Sequence, residues 1–219
     1  QPWSQGPHRY PFEQGEVVLT LRDQQACFNI NVLANLSSAG NPSTDTLSLR
    51  QLRTLFELME IDQEQSSMLL ERLQDWLDSD LIPTGFGGLE DLHYTNLTPP
   101  YRTVNGPLSA LSELNMISGF DAELLARLEP LLCVLPHPEQ RININSLEEQ
   151  QAVLLSALFE GALTVDDAQM LIQNRPVNGF ETVAEFWQQI PLEAEQLDAG
   201  IEQQLTVRSD FFLATIAVS

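Results

Sequence analysis

The 219-residue chain contains no lysine: its 10 basic residues are all arginine, set against 31 aspartates and glutamates, for a net charge of −21. That balance opposes nucleic acid and anionic membrane surfaces, where neutralised phosphate supplies most of the affinity, and it favours divalent cations as ligands. No run of about 20 apolar residues is present, so the chain as given holds no transmembrane helix. The opening Q-P-W-S-Q-G-P-H-R-Y is polar and proline-rich, unlike a signal peptide, and the chain reads as a soluble piece of a longer protein. Nucleophile elbow, phosphate loop and H-E-x-x-H are all missing, and His8, His93 and His137 sit in unrelated contexts. The carboxylates could in principle form an acid/base pair of the glycosidase kind, but no other residue pattern supports catalysis. There are only two cysteines, Cys27 and Cys133, outside any C-x-x-C or Cys/His zinc pattern. A pair of buried thiols and a single disulfide both fit them.

The acids gather most densely around one loop. In Q-D-W-L-D-S-D-L-I-P-T-G-F-G-G-L-E-D-L-H-Y, from Gln74 to Tyr94, Asp75, Asp78, Asp80, Glu90 and Asp91 bracket Pro83, Gly85, Gly87 and Gly88 with no base between them. Folding would press these charges together unless a cation sits among them, and Arg72 is the only near neighbour in sequence. Calcium suits such a cluster, because it takes roughly 6 to 8 oxygen ligands and glycines let carbonyls turn inward. The order Asp78-x-Asp80, turn, Glu90-Asp91 is similar to the two ends of an EF-hand loop. It departs from one in having Ile82 at the third acidic position, no glycine at the sixth place and its closing glutamate one residue late. A solvated acidic loop closing a helix is the plain alternative. His93 follows the loop within reach of it, although a surface role is the simpler expectation.

The periodicity predicts an α+β chain with strands at both ends and helices between. Residues up to about Gly15 read as irregular; Val17 to Arg22 and Cys27 to Val32 alternate with period two and predict strands. After the turn-rich Ser37 to Asp45, Leu49, Leu52, Phe56 and Met59 predict one amphipathic helix, and Asp62 caps a second bearing Leu69, Leu73, Trp76 and Leu77. Asp121, Ser146 with Glu149, Thr164, and Thr182 with Glu185 predict further helix starts. Period two returns over Ile201 to Arg208 and Phe211 to Val218. An isolated hairpin at either end would be marginal, so the two ends should pair into one sheet. The division is therefore 1–45, an inserted all-helical part 46–198, and 199–219.

The segment from Arg141 to Phe186 resembles helix-hairpin-helix repeats, through Ile142-Asn143-Ile144-Asn145, Asn174-Arg175-Pro176 and Gly179-Phe180. Such units in nucleic-acid-binding proteins offer backbone N–H groups to phosphate beside basic side chains. Here the hairpin is E-G-A-L-T-V-D-D, with three acids, which favours a scaffold over nucleic-acid binding, the alternative function.

Four motifs taken in order, D-W-L-D-S-D with G-L-E-D-L-H-Y, the P-P-Y segment, P-L-S-A-L-S-E-L from Pro107 to Leu114, and I-N-I-N, resemble the minor pseudopilin K family of bacterial type II secretion systems over roughly Val17 to Val218. The resemblance implies a pilin-like antiparallel sheet with a large helical domain inserted, a structural rather than catalytic role at the pseudopilus tip, and the minor pseudopilins I and J as partners. It implies calcium held by Asp78, Asp80, Glu90 and Asp91, with Asp75 a lesser candidate. It also implies a periplasmic protein anchored in the inner membrane by an apolar N-terminal helix that this chain does not contain. An oxidising compartment favours a Cys27–Cys133 disulfide.

Overall fold

Alternating apolar and polar side chains produce the longest strand, β2 (Gly15–Asp23), and its partners come from opposite ends of the chain. The computed structural model describes residues 6–35, 45–192 and 197–218. In it β1 (His8–Phe12) and β7 (Phe212–Val218) flank β2 in an antiparallel sheet of order β1-β2-β7. β2 and β7 pair from Val17 opposite Val218 to Asp23 opposite Phe212, so the two ends of the chain do meet in one sheet. The irregular reading of residues before Gly15 is corrected by β1, whose hairpin with β2 turns over Glu13 and Gln14. β1 is an edge strand, where a proline such as Pro11 is tolerated. Residues 1–5, and residues 37–44 of the expected turn, lie outside the described residues.

Two expected strands are mostly something else. Cys27 to Val32 forms only β3 (Phe28–Asn29), paired in parallel with β4 (Leu132–Cys133), before turning into a 3-10 helix, Ile30–Asn35. The polar members of that alternation never face water. Asn29 Nδ2 donates to the carbonyls of His137 (2.6 Å) and Glu139 (3.2 Å), and Asn31 Nδ2 donates to those of Leu108 and Leu135 (both 2.9 Å). These buried amides satisfy neighbouring backbone groups, and their spacing only imitates a half-exposed strand. Ile201 to Arg208 opens instead with a helical turn, Gly200–Gln203, which buries Ile201 after Asp198 accepts from the Gly200 N–H (2.9 Å). Only β6 (Leu205–Thr206) is strand there, paired in parallel with β5 (Ile142–Asn143).

The helices follow their caps. α1 (Leu47–Leu58) and α2 (Gln63–Leu77) form as the apolar spacing requires, with Asp62 accepting from the Glu64 and Gln65 N–H groups. Asp121, Thr164 and Thr182 likewise cap the helices Ala122–Leu128, Val165–Gln173 and Val183–Trp187. Ser146 does not cap: its hydroxyl donates to Asp23, and the helix Ala152–Leu158 is entered through a 3-10 turn where Gln151 accepts from the Glu148 N–H (2.9 Å). Leu52, Leu55 and Phe56 of α1 meet Leu69, Leu73 and Trp76 of α2 and Leu154, Leu155 and Leu158 in one apolar core.

The β1-β2-β7 sheet lies at the rim of this core, with β7 exposed along its whole length. Next to it, a disulfide between Cys27 and Cys133 (S–S 2.07 Å) clamps the β3–β4 pair. Asp23 at the end of β2 ties the sheet to the rest of the fold, accepting from Ser209 Oγ (2.5 Å) and Asn143 Nδ2 (3.1 Å).

Candidate metal centre

The C-terminal end of α2 sets the first carboxylates. Asp75 and Asp78 are three residues apart and so share a helix face. Asp75 is fully buried, with Oδ1 accepting from the Thr84 N–H (2.8 Å); Asp78 is the C-cap, its N–H donating to the Gln74 carbonyl (2.9 Å). The chain then leaves the helix through Asp80, whose Oδ1 accepts from the Ile82 N–H (2.8 Å) in an aspartate turn. Gly88 lets this loop fold back, because a Cβ there would stand 2.4 Å from Asp75 Oδ2 and 2.3 Å from the Thr84 carbonyl. Glu90 follows at the N-cap of α3 (Asp91–Tyr94), yet its side chain caps nothing.

A latch on α2 holds the loop in place. The Gly87 N–H donates to Glu71 Oε2 (2.6 Å), while Arg72 donates through Nε to the Gly87 carbonyl (3.1 Å) and through Nη1 to the Ser118 carbonyl (2.9 Å). Arg72 is thus spent on backbone and neutralises none of the site carboxylates.

One oxygen from each of Asp78, Asp80 and Glu90 falls within 4.8 Å of the others. Asp78 and Glu90 are only 4% and 5% exposed, and Asp78 Oδ1, both Glu90 oxygens and Asp75 Oδ2 have no hydrogen-bond partner. No arginine is ion-paired with any of the four among the described residues. Burial, then the charges of Asp75, Asp78 and Asp80, push Glu90 up to about 7; burial, then Asp80 and Asp75, push Asp78 up to about 6. Burial also raises Asp75, partly offset by hydrogen bonds from Thr84 and Leu89. Stranding several carboxylate oxygens in a water-poor site is costly, and an arrangement of oxygen donors alone fits a hard divalent cation.

Of the five carboxylates singled out by sequence, Asp78, Asp80 and Glu90 form the cluster, with Asp75 beside it. Asp91 turns the other way: its Oδ1 accepts from the Thr103 N–H (2.9 Å) and Oγ1 (2.7 Å), and Arg102 lies 3.9 Å from its Oδ2. Those contacts, led by the Thr103 hydroxyl, hold its carboxyl below the usual aspartate range. His93 is directed to Ser118 Oγ (3.1 Å) rather than to the cluster. The sequence did not mark Asn105, whose Nδ2 reaches the Asp80 carbonyl (3.5 Å) and whose Oδ1 is buried without a partner. Its only sequence signal is the turn pair Asn105-Gly106, which fits its left-handed backbone (φ 49°). In the turn between the helices Ala152–Leu158 and Val165–Gln173, Glu160 is engaged by Arg50 of α1 (2.6 Å).

Two family models described as type II secretion system (T2SS) protein K match residues 26–137 and 142–208. The chain is 35% identical to type II secretion system protein K of Klebsiella pneumoniae, over 100% of this chain and 66% of that protein. It is 31% identical to the protein of the same name from Aeromonas hydrophila, over 99% and 66%. It therefore spans about 66% of the length of these curated relatives. Among solved structures it is similar to a chain in the crystal structure of the GspK-GspI-GspJ complex from the enterotoxigenic Escherichia coli type 2 secretion system. The TM-score is 0.83 and the identity 36%, covering 100% of this chain and 75% of that one.

Proposed function

The chain belongs to the type II secretion system protein K family, and from that premise we propose that it is a calcium-stabilised minor pseudopilin, a structural part of the pseudopilus tip rather than a catalyst. Similarity along the whole chain to a member of the GspK-GspI-GspJ complex supports minor pseudopilins I and J as its partners. In this reading residues 1–45 and 199–219 belong to a pilin-like sheet, and residues 46–198 are a helical domain inserted into it, with helix-hairpin-helix-like units serving as scaffold. The exposed apolar side chains of β7, Phe212, Leu213, Ile216 and Val218, are then contact surface for neighbouring subunits or for an N-terminal helix in the whole protein. The whole protein is periplasmic and anchored in the inner membrane, and the Cys27–Cys133 disulfide suits that oxidising compartment.

One observation carries the calcium assignment: the unpartnered, buried oxygens of Asp75, Asp78 and Glu90 beside Asp80. Calcium would be held by Asp78, Asp80 and Glu90, with Asp75 behind them, and when bound it supplies the positive charge that this cluster lacks. The residues do the rest. Asp75 and Glu71 fix the loop through Thr84 and Gly87, and the α2 to α3 connection becomes one firm edge of a bulky head.

The assembly reading is tested by mixing this protein with the soluble parts of pseudopilins I and J from the same secretion system and measuring complex size. Co-elution as a defined hetero-complex is expected, and separate elution at micromolar concentration contradicts it.

A further inference from the structure

Exposed apolar side chains are concentrated around the carboxylate cluster. Leu81, Ile82, Phe86, Leu92 and Val104 all lie in the segments that enclose it; Ile82 is 74% exposed, Leu92 78%, and Phe86 wholly so. Two ties bring these segments together. Asn105 Nδ2 on the Asp80 carbonyl sets Val104 near Leu81, and Thr103 on Asp91 sets Val104 near Leu92. The Glu71 and Arg72 latch on Gly87 holds the turn that carries Phe86. A single exposed leucine is ordinary, whereas five apolar residues on segments joined around one site form a patch of the kind used to bind a partner.

The charge around this patch is predominantly negative. Glu71 and Asp91 join the cluster carboxylates, against Arg102, which lies 3.9 Å from Asp91, and Arg72, which is committed to backbone carbonyls. A divalent ion would offset only part of that charge. An anionic membrane would be repelled, while a cationic protein segment would be drawn in. We propose that these loops are a docking surface for a protein segment presenting apolar side chains flanked by arginine or lysine, and that metal binding sets its affinity by fixing the loops. The metal dependence rests on the calcium reading above; the surface itself rests on Phe86, Leu92 and their neighbours.

The test uses a fluorescent leucine–arginine amphipathic peptide, with a leucine–glutamate peptide of the same pattern as control, titrated against the protein in calcium and in chelator. The calcium-induced shift in melting temperature is recorded for the same samples. The expected result is binding of the leucine–arginine peptide that chelator weakens and that Phe86→Ser with Leu92→Ser weakens by about tenfold or more. That double variant, altered only at exposed side chains, should keep the full calcium shift. Equal binding by the leucine–glutamate peptide, or binding indifferent to Phe86→Ser and Leu92→Ser, overturns the docking surface. Loss of the calcium shift in the unaltered protein, with peptide binding still dependent on Phe86 and Leu92, overturns the metal control and the calcium reading while leaving the surface standing.

Discussion

Glu90 concentrates the chemistry of the site in one side chain: both oxygens are buried without a partner, and burial with three neighbouring acids lifts its pKa to about 7. Glu90→Gln should therefore act with opposite signs in two conditions. In chelator near pH 8 it removes an uncompensated charge and raises stability; in calcium it abolishes the metal-induced gain, which amounts to about 2.7 kcal/mol at a hundredfold excess over Kd. Denaturant melts of both proteins in both conditions check this. The pH dependence has a definite sign as well. Because Asp78 and Glu90 are raised to about 6 and about 7 in the fold, their contribution without metal is fully present below about pH 4 and is lost as pH rises through those values. Calcium takes the ionised forms, so its stabilising increment should grow from pH 5 to pH 8; an increment independent of pH contradicts the assignment. Residue types and spacing made Asp78, Asp80 and Glu90 legible in the sequence. Asp91 was not separable from Glu90, because only the fold shows that the first helical residue of α3 faces Thr103.

The loop between α2 and α3 works as an element because its backbone is held from the α2 side. Gly85 has φ +59°, and a Cβ there would stand 2.1 Å from Glu71 Oε1. Gly85→Ala should cost about 1 kcal/mol or more from the backbone alone, and should weaken calcium binding by loosening the Glu71 latch. Calorimetric titration of the variant checks both, and an unchanged Kd would detach the latch from the site. Helix starts were readable where one side chain caps its own helix, as at Asp62, Asp121, Thr164 and Thr182. They failed at Ser146, which is diverted to Asp23 over a separation of 123 residues. Asn29 and Asn31 failed for the same reason, since their partners are distant backbone groups that no local pattern records.

For the whole molecule, Asp23 ties the end of β2 to Asn143 and Ser209, and the Cys27–Cys133 bond clamps the neighbouring β3–β4 pair. The bond closes a loop of 106 residues, a length at which chain entropy gives about 4.7 kcal/mol. Replacing both cysteines by alanine should lower stability by about 2–5 kcal/mol, measured by denaturant unfolding, and a loss under about 1 kcal/mol would contradict the loop-closure account of the bond. The pairing of the chain's two ends was legible because strand signals recur at both ends and neither end could form a stable sheet by itself. The most direct test of the central claim is thermal unfolding of the metal-stripped protein with calcium, magnesium or neither, beside Glu90→Gln. A rise in melting temperature specific to calcium and absent from Glu90→Gln is predicted. No rise, or an equal rise in the variant, would contradict a calcium site built from Asp78, Asp80 and Glu90.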